Sequence, residues 1–131
     1  MDKKTIHRFL STSSYWAKGI PYEVVDSSLQ NSFCVGAFCD EQQAGFGRVI
    51  TDYYTFGYFA DFFVIPEYRG QGISKKMLAH ILEQPWSKRL RRKMLNTADA
   101  HGLYRQFKFT EPANPSYILE IYNPNAHLQY K

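Results

Sequence analysis

The run Asp61-Phe62-Phe63-Val64-Ile65-Pro66-Glu67-Tyr68-Arg69-Gly70-Gln71-Gly72-Ile73-Ser74, continued by Lys75 to Leu82, decides the fold. It reads as strand, tight turn and helix. The first segment is apolar and aromatic-rich, which suits a strand buried in a sheet, and Pro66 ends it. Beyond the turn, Ile73, Met77, Leu78 and Ile81 recur at helical spacing. Gly70 and Gly72 carry no Cβ, so the backbone can take unusual dihedrals and approach a ligand closely. The first N–H groups of the following helix have no intrahelical partner. With the helix dipole they make a site for an anion, and phosphate is the usual guest. Arg69 adds a permanent cation, and Lys75 and Lys76 follow. The residues therefore read as a pyrophosphate-binding turn. On the glycines alone, a plain strand–loop–helix with glycines placed for steric reasons competes evenly. The dinucleotide fingerprint G-x-G-x-x-G fails because Lys75 stands at its third glycine, and the phosphate loop G-x-x-x-x-G-K-[ST] is absent.

Working outward, 131 residues suit one domain with a real core, and ten Tyr, ten Phe and two Trp are available to fill it. We expect a single domain over 1–131, with 123–131 a flexible tail. No apolar run approaches the roughly 20 residues of a membrane span. The opening Met1-Asp2-Lys3-Lys4-Thr5-Ile6-His7 lacks the apolar region of a leader peptide. The expectation is a cytoplasmic protein with no membrane partner. Cys34 and Cys39 lie five residues apart in one strand-like run, on opposite faces, so they are expected as separate buried thiols. No Cys or His spacing suggests a metal, and none is expected. The net charge of +4 is mild and fits an anionic cofactor. The basic run Lys88 to Lys93 reads as a solvated face or phosphate clamp, with nucleic-acid binding the weaker reading.

The remaining elements follow in order. Lys4 to Ser11 reads as a helix, and Tyr22 to Leu29 as a second helix opened by Pro21. Ser32 to Cys39 and Ala44 to Thr51 form a hairpin around Asp40 to Gln43. Phe56 to Ile65 is the next strand, with Gly57 marking a bend or bulge. The helix Gly72 to Glu83 stops before Pro85. Met94 to Thr97 is a short strand, Ala98 to Phe107 a short helix, and Phe109 begins a strand or turn. Ser116 to Tyr122 alternates and reads as the last strand. The class is mixed α/β.

Arg69-Gly70-Gln71-Gly72-Ile73-Ser74 resembles the R/Q-x-x-G-x-G/A turn of the GNAT N-acetyltransferases, with Val64-Ile65-Pro66 matching the end of the strand before it. Ser74 replaces the usual Gly or Ala. A second run, Leu95 to Phe109, resembles the family's strand followed by A-x-x-L-Y-x-x-x-G-F. Ala100, Leu103, Tyr104 and Phe109 match, and Lys108 stands where Gly is usual. The resemblance, which covers nearly the whole chain and is closest to small single-domain bacterial members, implies a GNAT fold. That fold has a mostly antiparallel twisted sheet of about six strands, splayed around the cofactor and flanked by about four helices. The family's usual strand before the first helix is missing here or very short.

The resemblance further implies acetyl-CoA as co-substrate. Arg69, Gly70, Gln71, Gly72, Ile73 and Ser74 would hold its pyrophosphate. The backbone of Phe63, Val64 and Ile65 would lie along the pantetheine arm like an added strand, and Asn96 would face it. Tyr104 matches the tyrosine that protonates the leaving thiolate. A phenol with a pKa near 10 keeps its proton at neutral pH and can donate it. Asp61, in an apolar setting, is the candidate base, with a structural aspartate bonded to backbone or Arg48 as the competing reading. Asp52, Glu67 and His101 are weaker candidates. Tyr15, Trp16, Tyr53, Tyr54 and Phe56 are candidates to wall the acceptor pocket. The expected reaction is acetyl transfer to a primary amine of a small molecule or peptide by direct attack. The alternative is a catalytically silent acyl-CoA-binding module of the same fold. A homodimer is left open.

Overall fold

The computed structural model describes residues 1–129. In chain order these form α1 (Lys3–Thr12), α2 (Tyr22–Gln30), β1 (Phe33–Cys39), β2 (Gln42–Thr51), β3 (Phe56–Val64), α3 (Ile73–Leu82), α4 (Pro85–Arg89), β4 (Arg92–Leu95) and α5 (His101–Arg105). No strand precedes α1. Instead Asp2 caps the helix, accepting from the Thr5 amide at 3.1 Å and from the Thr5 hydroxyl at 2.7 Å. The sheet order is β1-β2-β3-β4. The first two pairings are antiparallel and β3–β4 is parallel, as expected where a helical crossover joins the two strands.

One irregularity organises the sheet. Phe46 pairs with Phe63 and Arg48 with Ala60, so Gly47 faces two residues of β3, Asp61 and Phe62. The extra residue is a β-bulge, with Asp61 in the left-handed region at φ 59°. An extra residue reverses the side-chain alternation of everything beyond it. Phe59 therefore joins Val49, Leu78, Ile81 and Tyr104 on the face covered by α3 and α5. Phe63 joins Ile6, Phe9, Leu10, Val25 and Phe46 on the face covered by α1 and α2, stacked on Phe9 at 4.0 Å between ring centroids. Gly47 makes room for the bulge, since a Cβ there would stand 2.4 Å from the Phe62 ring. Gly57 does not mark a bulge. It pairs in register with Thr51 and Lys93, and its missing Cβ leaves space for Leu90 and Val49.

Two further expectations change. Pro85 ends one helix and then opens another, occupying the first position of α4, where its missing N–H costs nothing. Ser116 to Tyr122 is not a strand, so the sheet has four strands among the described residues rather than about six. A 3-10 turn spans Pro115–Tyr117. Beyond it Leu119 is 92% exposed and Ile121 is fully exposed. Alternation gave this segment the right side chains, but a strand needs a neighbouring edge and it meets none. Phe109 likewise pairs with no strand and closes the end of α5. Of the predicted flexible tail, Ala126–Gln129 forms a second 3-10 turn. The rest, residues 130 and 131, lies outside the described residues. Both cysteines are free thiols, and burial pushes the Cys34 thiol up.

Candidate active site

The parallel ladder between β3 and β4 is short. It runs from Phe56↔Arg92 to Phe59↔Leu95 and then stops. Beyond it the two strands diverge, and Ala60 to Val64 have no partner on that side among the described residues. The bulge lies within this stretch. The result is a fork whose left arm is a strand edge with unpaired peptide groups.

Which peptide groups face the fork follows from one bond. The Ile65 amide donates to the Ala44 carbonyl at 2.8 Å, on the β2 side. Because the backbone alternates, Phe63 also faces β2, and Val64 turns its N–H and C=O to the open edge. Of the three predicted backbone positions, Val64 is the one with a peptide group to offer, its N–H; Phe63 contributes core packing, and the Ile65 N–H is already committed. The Val64 carbonyl accepts from Arg69 Nε at 3.0 Å. That bond anchors the guanidinium at the strand end, with its two terminal nitrogens bonded to nothing in the chain among the described residues.

The turn has the form the sequence predicted. Gly70 and Gly72 both lie in the left-handed region, at φ 81° and 76°. A Cβ at either would meet nothing within 4 Å, so dihedral freedom rather than crowding requires glycine there. Gly72 is the N-cap of α3 and supplies no side-chain cap, and the first turn contains no acidic residue. The opening amides of the helix thus point into a cavity of about 300 Å³ lined by Val64, Arg69, Gly70, Gly72, Ser74 and Leu103, among others. Ser74 sits past the left-handed positions, so its side chain adds no backbone strain. Gln71 is exposed at the tip. An uncapped helix end, two left-handed glycines and a neighbouring arginine fit a pyrophosphate.

Tyr104 projects from α5 into the fork. Its ring meets Phe62 edge-on at 6.5 Å and Phe109 at 5.8 Å. Burial pushes its phenol up to about 12, and the neighbouring Tyr15 and Asp99 act in the same direction. The group stays protonated at neutral pH.

The loop after α1 spans the mouth of the fork. Trp16 Nε1 donates to Asp61 Oδ1 at 2.8 Å, and the Tyr15 hydroxyl accepts from the Ala98 amide at 3.1 Å. The two rings meet edge-to-face at 4.9 Å. This pair touches both arms, the bulge on β3 and the chain leaving β4. Arg48 Nε donates to Asp61 Oδ2 at 2.6 Å and Arg48 Nη1 to the Ser32 hydroxyl at 3.0 Å. Both oxygens of Asp61 therefore already hold a donor. Asn96, one residue past the ladder, donates to the Tyr58 hydroxyl at 3.0 Å.

The structure thus gathers Tyr15, Trp16, Asp61, Val64, Asn96 and Tyr104 around the fork, with the glycine turn at its end. It does not bring Tyr53 and Phe56 there. Phe56 opens β3 at the far end of the ladder, five residues or roughly 17 Å from Asp61 at about 3.3 Å per residue. Tyr53 packs edge-on to Trp86 at 5.1 Å. Tyr54 lies under Arg89, whose guanidinium is 4.1 Å from its ring centroid. Asp52 ties this distant loop together. Bonds from the Thr55 amide and hydroxyl, and from the Tyr54 amide, hold its carboxyl well below the usual range. Two participants escaped the sequence reading. The Trp16–Asp61 bond joins residues 45 apart, with no local signal. Gly47 could have been found, because an isolated glycine inside a strand is a bulge signal.

Residues 30–111 match the family described as the Acetyltransferase (GNAT) domain. The chain belongs to the GNAT family. A candidate GNAT acetyltransferase of Xanthomonas campestris pv. campestris, known from its crystal structure, is 44% identical. The match covers 97% of this chain and 89% of that one, with a TM-score of 0.94. A candidate acetyltransferase of Gibberella zeae is 32% identical over 110 residues, 69% of this chain. This GNAT chain spans 62% of that relative's length. A Clostridium acetobutylicum protein, described as an acetyltransferase with acetyl-CoA, shares the fold at 17% identity and a TM-score of 0.63, covering 93% of this chain and 92% of its own.

Proposed function

We propose that this GNAT domain transfers an acetyl group from acetyl-CoA to a primary amine of a small molecule or peptide by direct attack. The observation that carries the reading is the fork itself. One strand, β3, ends in an anion-binding turn and leaves its edge open beside a buried, protonated tyrosine. The acetyl-CoA in the Clostridium structure supports the choice of co-substrate.

Bound acetyl-CoA would supply an acetyl thioester, with an acyl carbon open to attack and a sulfur able to leave. The residues divide the remaining work. The amides opening α3, with Arg69, hold the pyrophosphate charge. The Val64 N–H faces the arm and can donate to it, as to an added strand, while the Val64 carbonyl holds Arg69 in place. Tyr104 keeps a proton at neutral pH and gives it to the departing sulfur as the C–S bond breaks. Asp61 receives the proton that the amine loses as the new N–C bond forms. Each carboxylate oxygen accepts one donor already and retains a second lone pair for an amine or a relaying water. Tyr15 and Trp16, both exposed on one side, wall the acceptor end, where an aromatic surface favours a cationic or apolar amine body.

The competing reading, a silent acyl-CoA-binding module, is favoured by the double engagement of Asp61 with Arg48 and Trp16. Two measurements separate them. Calorimetric titration reads acetyl-CoA binding, and thiol release in the presence of an amine panel reads turnover. Amine-dependent release that falls in Asp61→Asn, with binding retained, supports transfer. Binding with no amine-dependent release supports the silent module.

A further inference from the structure

We propose that the acceptor is a free α-amino acid with an apolar side chain, whose carboxylate is bound by Arg48 while its amine meets Asp61. The inference rests on the acetyl-transfer reading and narrows its acceptor.

Three observations carry it. First, Arg48 is only partly used. Its Nε donates to Asp61 Oδ2 at 2.6 Å and its Nη1 to the Ser32 hydroxyl at 3.0 Å. Nη2 bonds to nothing among the described residues. The buried polar atoms left without a partner lie elsewhere, so this nitrogen opens to solvent. Second, Arg48 stands where the cover of the sheet ends. Phe46, Arg48 and Ile50 alternate onto one face of β2, the face packed by α1 and α2. Phe46 is fully buried, the Arg48 side chain is 15% exposed and Ile50 is 44% exposed. Third, the face beside the ion pair is open. Ala60 is the register partner of Arg48 and directly precedes Asp61. It is a small side chain on an interior strand, yet it is only half-buried. Tyr58 and Ile50 pair across the strands just beyond it, which extends the open face as an apolar floor.

Charge complementarity selects the occupant. Asp61 and Arg48 present an anion and a cation side by side. An α-amino acid presents a cation and an anion side by side, with one carbon between the groups that carry them. Its carboxylate gives the free Arg48 nitrogen a charged partner, and such bonds are roughly twice as strong as neutral ones. A plain amine would leave that nitrogen without one, and a peptide N-terminus would offer it only a neutral carbonyl. The side chain would lie toward Tyr58 and Ile50. The amine binds as an ammonium and reacts once it has shed a proton to water. The neutral amine then forms the N–C bond as the C–S bond breaks, its proton passing to Asp61 and the sulfur taking that of Tyr104. The products are an N-acetyl amino acid and CoA.

Thiol release with matched acceptors tests the proposal. L-leucine, L-methionine and L-phenylalanine are each compared with the corresponding amide and with the decarboxylated amine. The amide is the stringent control, because it keeps the amine and the side chain, loses the negative charge and holds a larger share of its amine unprotonated. At least one amino acid should exceed both analogues in kcat/KM by about 10–100-fold, the worth of a hydrogen bond to a charged group. Analogues turned over as fast as the acids would overturn the inference and leave the acetyl-transfer reading standing. Arg48→Lys keeps a cation for Asp61 but lacks the free nitrogen. With circular dichroism showing that it is folded, its preference for acid over amide should shrink by about 10-fold or more; an undiminished preference would overturn the role of Arg48. If no amine releases thiol, calorimetric titration of the same compounds into the protein holding CoA separates the two ideas. An amino acid bound about 10-fold tighter than its amide would uphold the inference while the transfer reading falls. Equal binding, or no binding of the acids, would overturn it.

Discussion

Replacing Lys108 by glycine is expected to stabilise the protein, and the gain can be worked out in advance. Lys108 lies just past α5 at φ 72°, in the left-handed region. Two bonds define the helix end: the Phe109 amide donates to the Tyr104 carbonyl at 3.2 Å and the Lys108 amide to the Arg105 carbonyl at 3.0 Å. This is the Schellman pattern, and the apolar contact that accompanies it is the Phe109–Tyr104 ring pair. Its left-handed position normally belongs to glycine. A side chain there costs about 1–2 kcal/mol, and the greater freedom of glycine in the unfolded chain returns about 0.4–1 kcal/mol of that. The net gain is about 0.5–1 kcal/mol. With roughly 2.1 cal/mol/K per residue, 131 residues unfold with about 0.28 kcal/mol/K, so Tm should rise by about 2–4 °C. Differential scanning calorimetry on Lys108→Gly and Lys108→Ala reads the result. Alanine removes the same charge but keeps the Cβ, so it should change stability by less than about 0.5 kcal/mol. A Lys108→Gly protein that melts at or below the parent, or an alanine variant that gains as much, would refute the strain argument.

Other substitutions probe the fork. Gly47→Ala would put a Cβ 2.4–2.7 Å from atoms of the Phe62 ring; we expect a loss of about 1–3 kcal/mol in urea unfolding, relieved when Phe62 is also reduced to Ala. Asp61→Ala leaves Arg48, whose side chain is 15% exposed, without its carboxylate, and should cost about 2–3 kcal/mol. Asp61→Asn keeps an acceptor for Trp16 and should cost less in the same assay. Tyr104→Phe should lower amine-dependent thiol release by about 100-fold while leaving acetyl-CoA affinity within about threefold. The raised phenol also makes a stability prediction. An unfolded tyrosine ionises near 10 while Tyr104 holds its proton to about 12, so its contribution is complete below pH 10 and is lost as pH rises toward 12. Alkaline unfolding of the parent should therefore be steeper than that of Tyr104→Phe over that window.

Local chemistry made the glycine turn, the proposed cofactor end of the site, legible. Gly70, Gly72 and Arg69 sit within four residues of each other, and each acts through its own backbone or charge, so the sequence displays the turn nearly as the structure does. The helices α1, α2 and α3 were legible for the same reason, since apolar periodicity and proline or glycine breaks are local. The proposed acceptor end was not, because it is built from long-range partners. Trp16 reaches Asp61, Tyr15 reaches Ala98, and both contacts depend on where the loop after α1 crosses the sheet. Tyr53 and Phe56 looked equally suitable by composition, and only the direction of β3 separates them from the fork. Ser116 to Tyr122 failed differently: its alternating, β-branched composition suits a strand, but it forms none, because pairing is a property of two segments.

The bulge at Asp61 links these cases. Without the extra residue, Phe63 would fall on the same face of the sheet as Phe59, and α1 would lose the ring that Phe9 stacks against. With it, β3 turns its faces over after the fourth residue of its ladder with β4, where the two strands part. The same distortion therefore fills the core on both faces and opens the fork between the strands. Its cost falls on a non-glycine residue at positive φ, and Arg48 and Trp16 converge on that residue. Asp61 is thus needed by the fold whether or not it takes a proton. Activity lost in Asp61→Ala cannot distinguish the two roles. Asp61→Asn can: it keeps the acceptor for Trp16 and gives up the charge and the bond to Arg48, so a fall in turnover far beyond the fall in stability assigns the proton to Asp61.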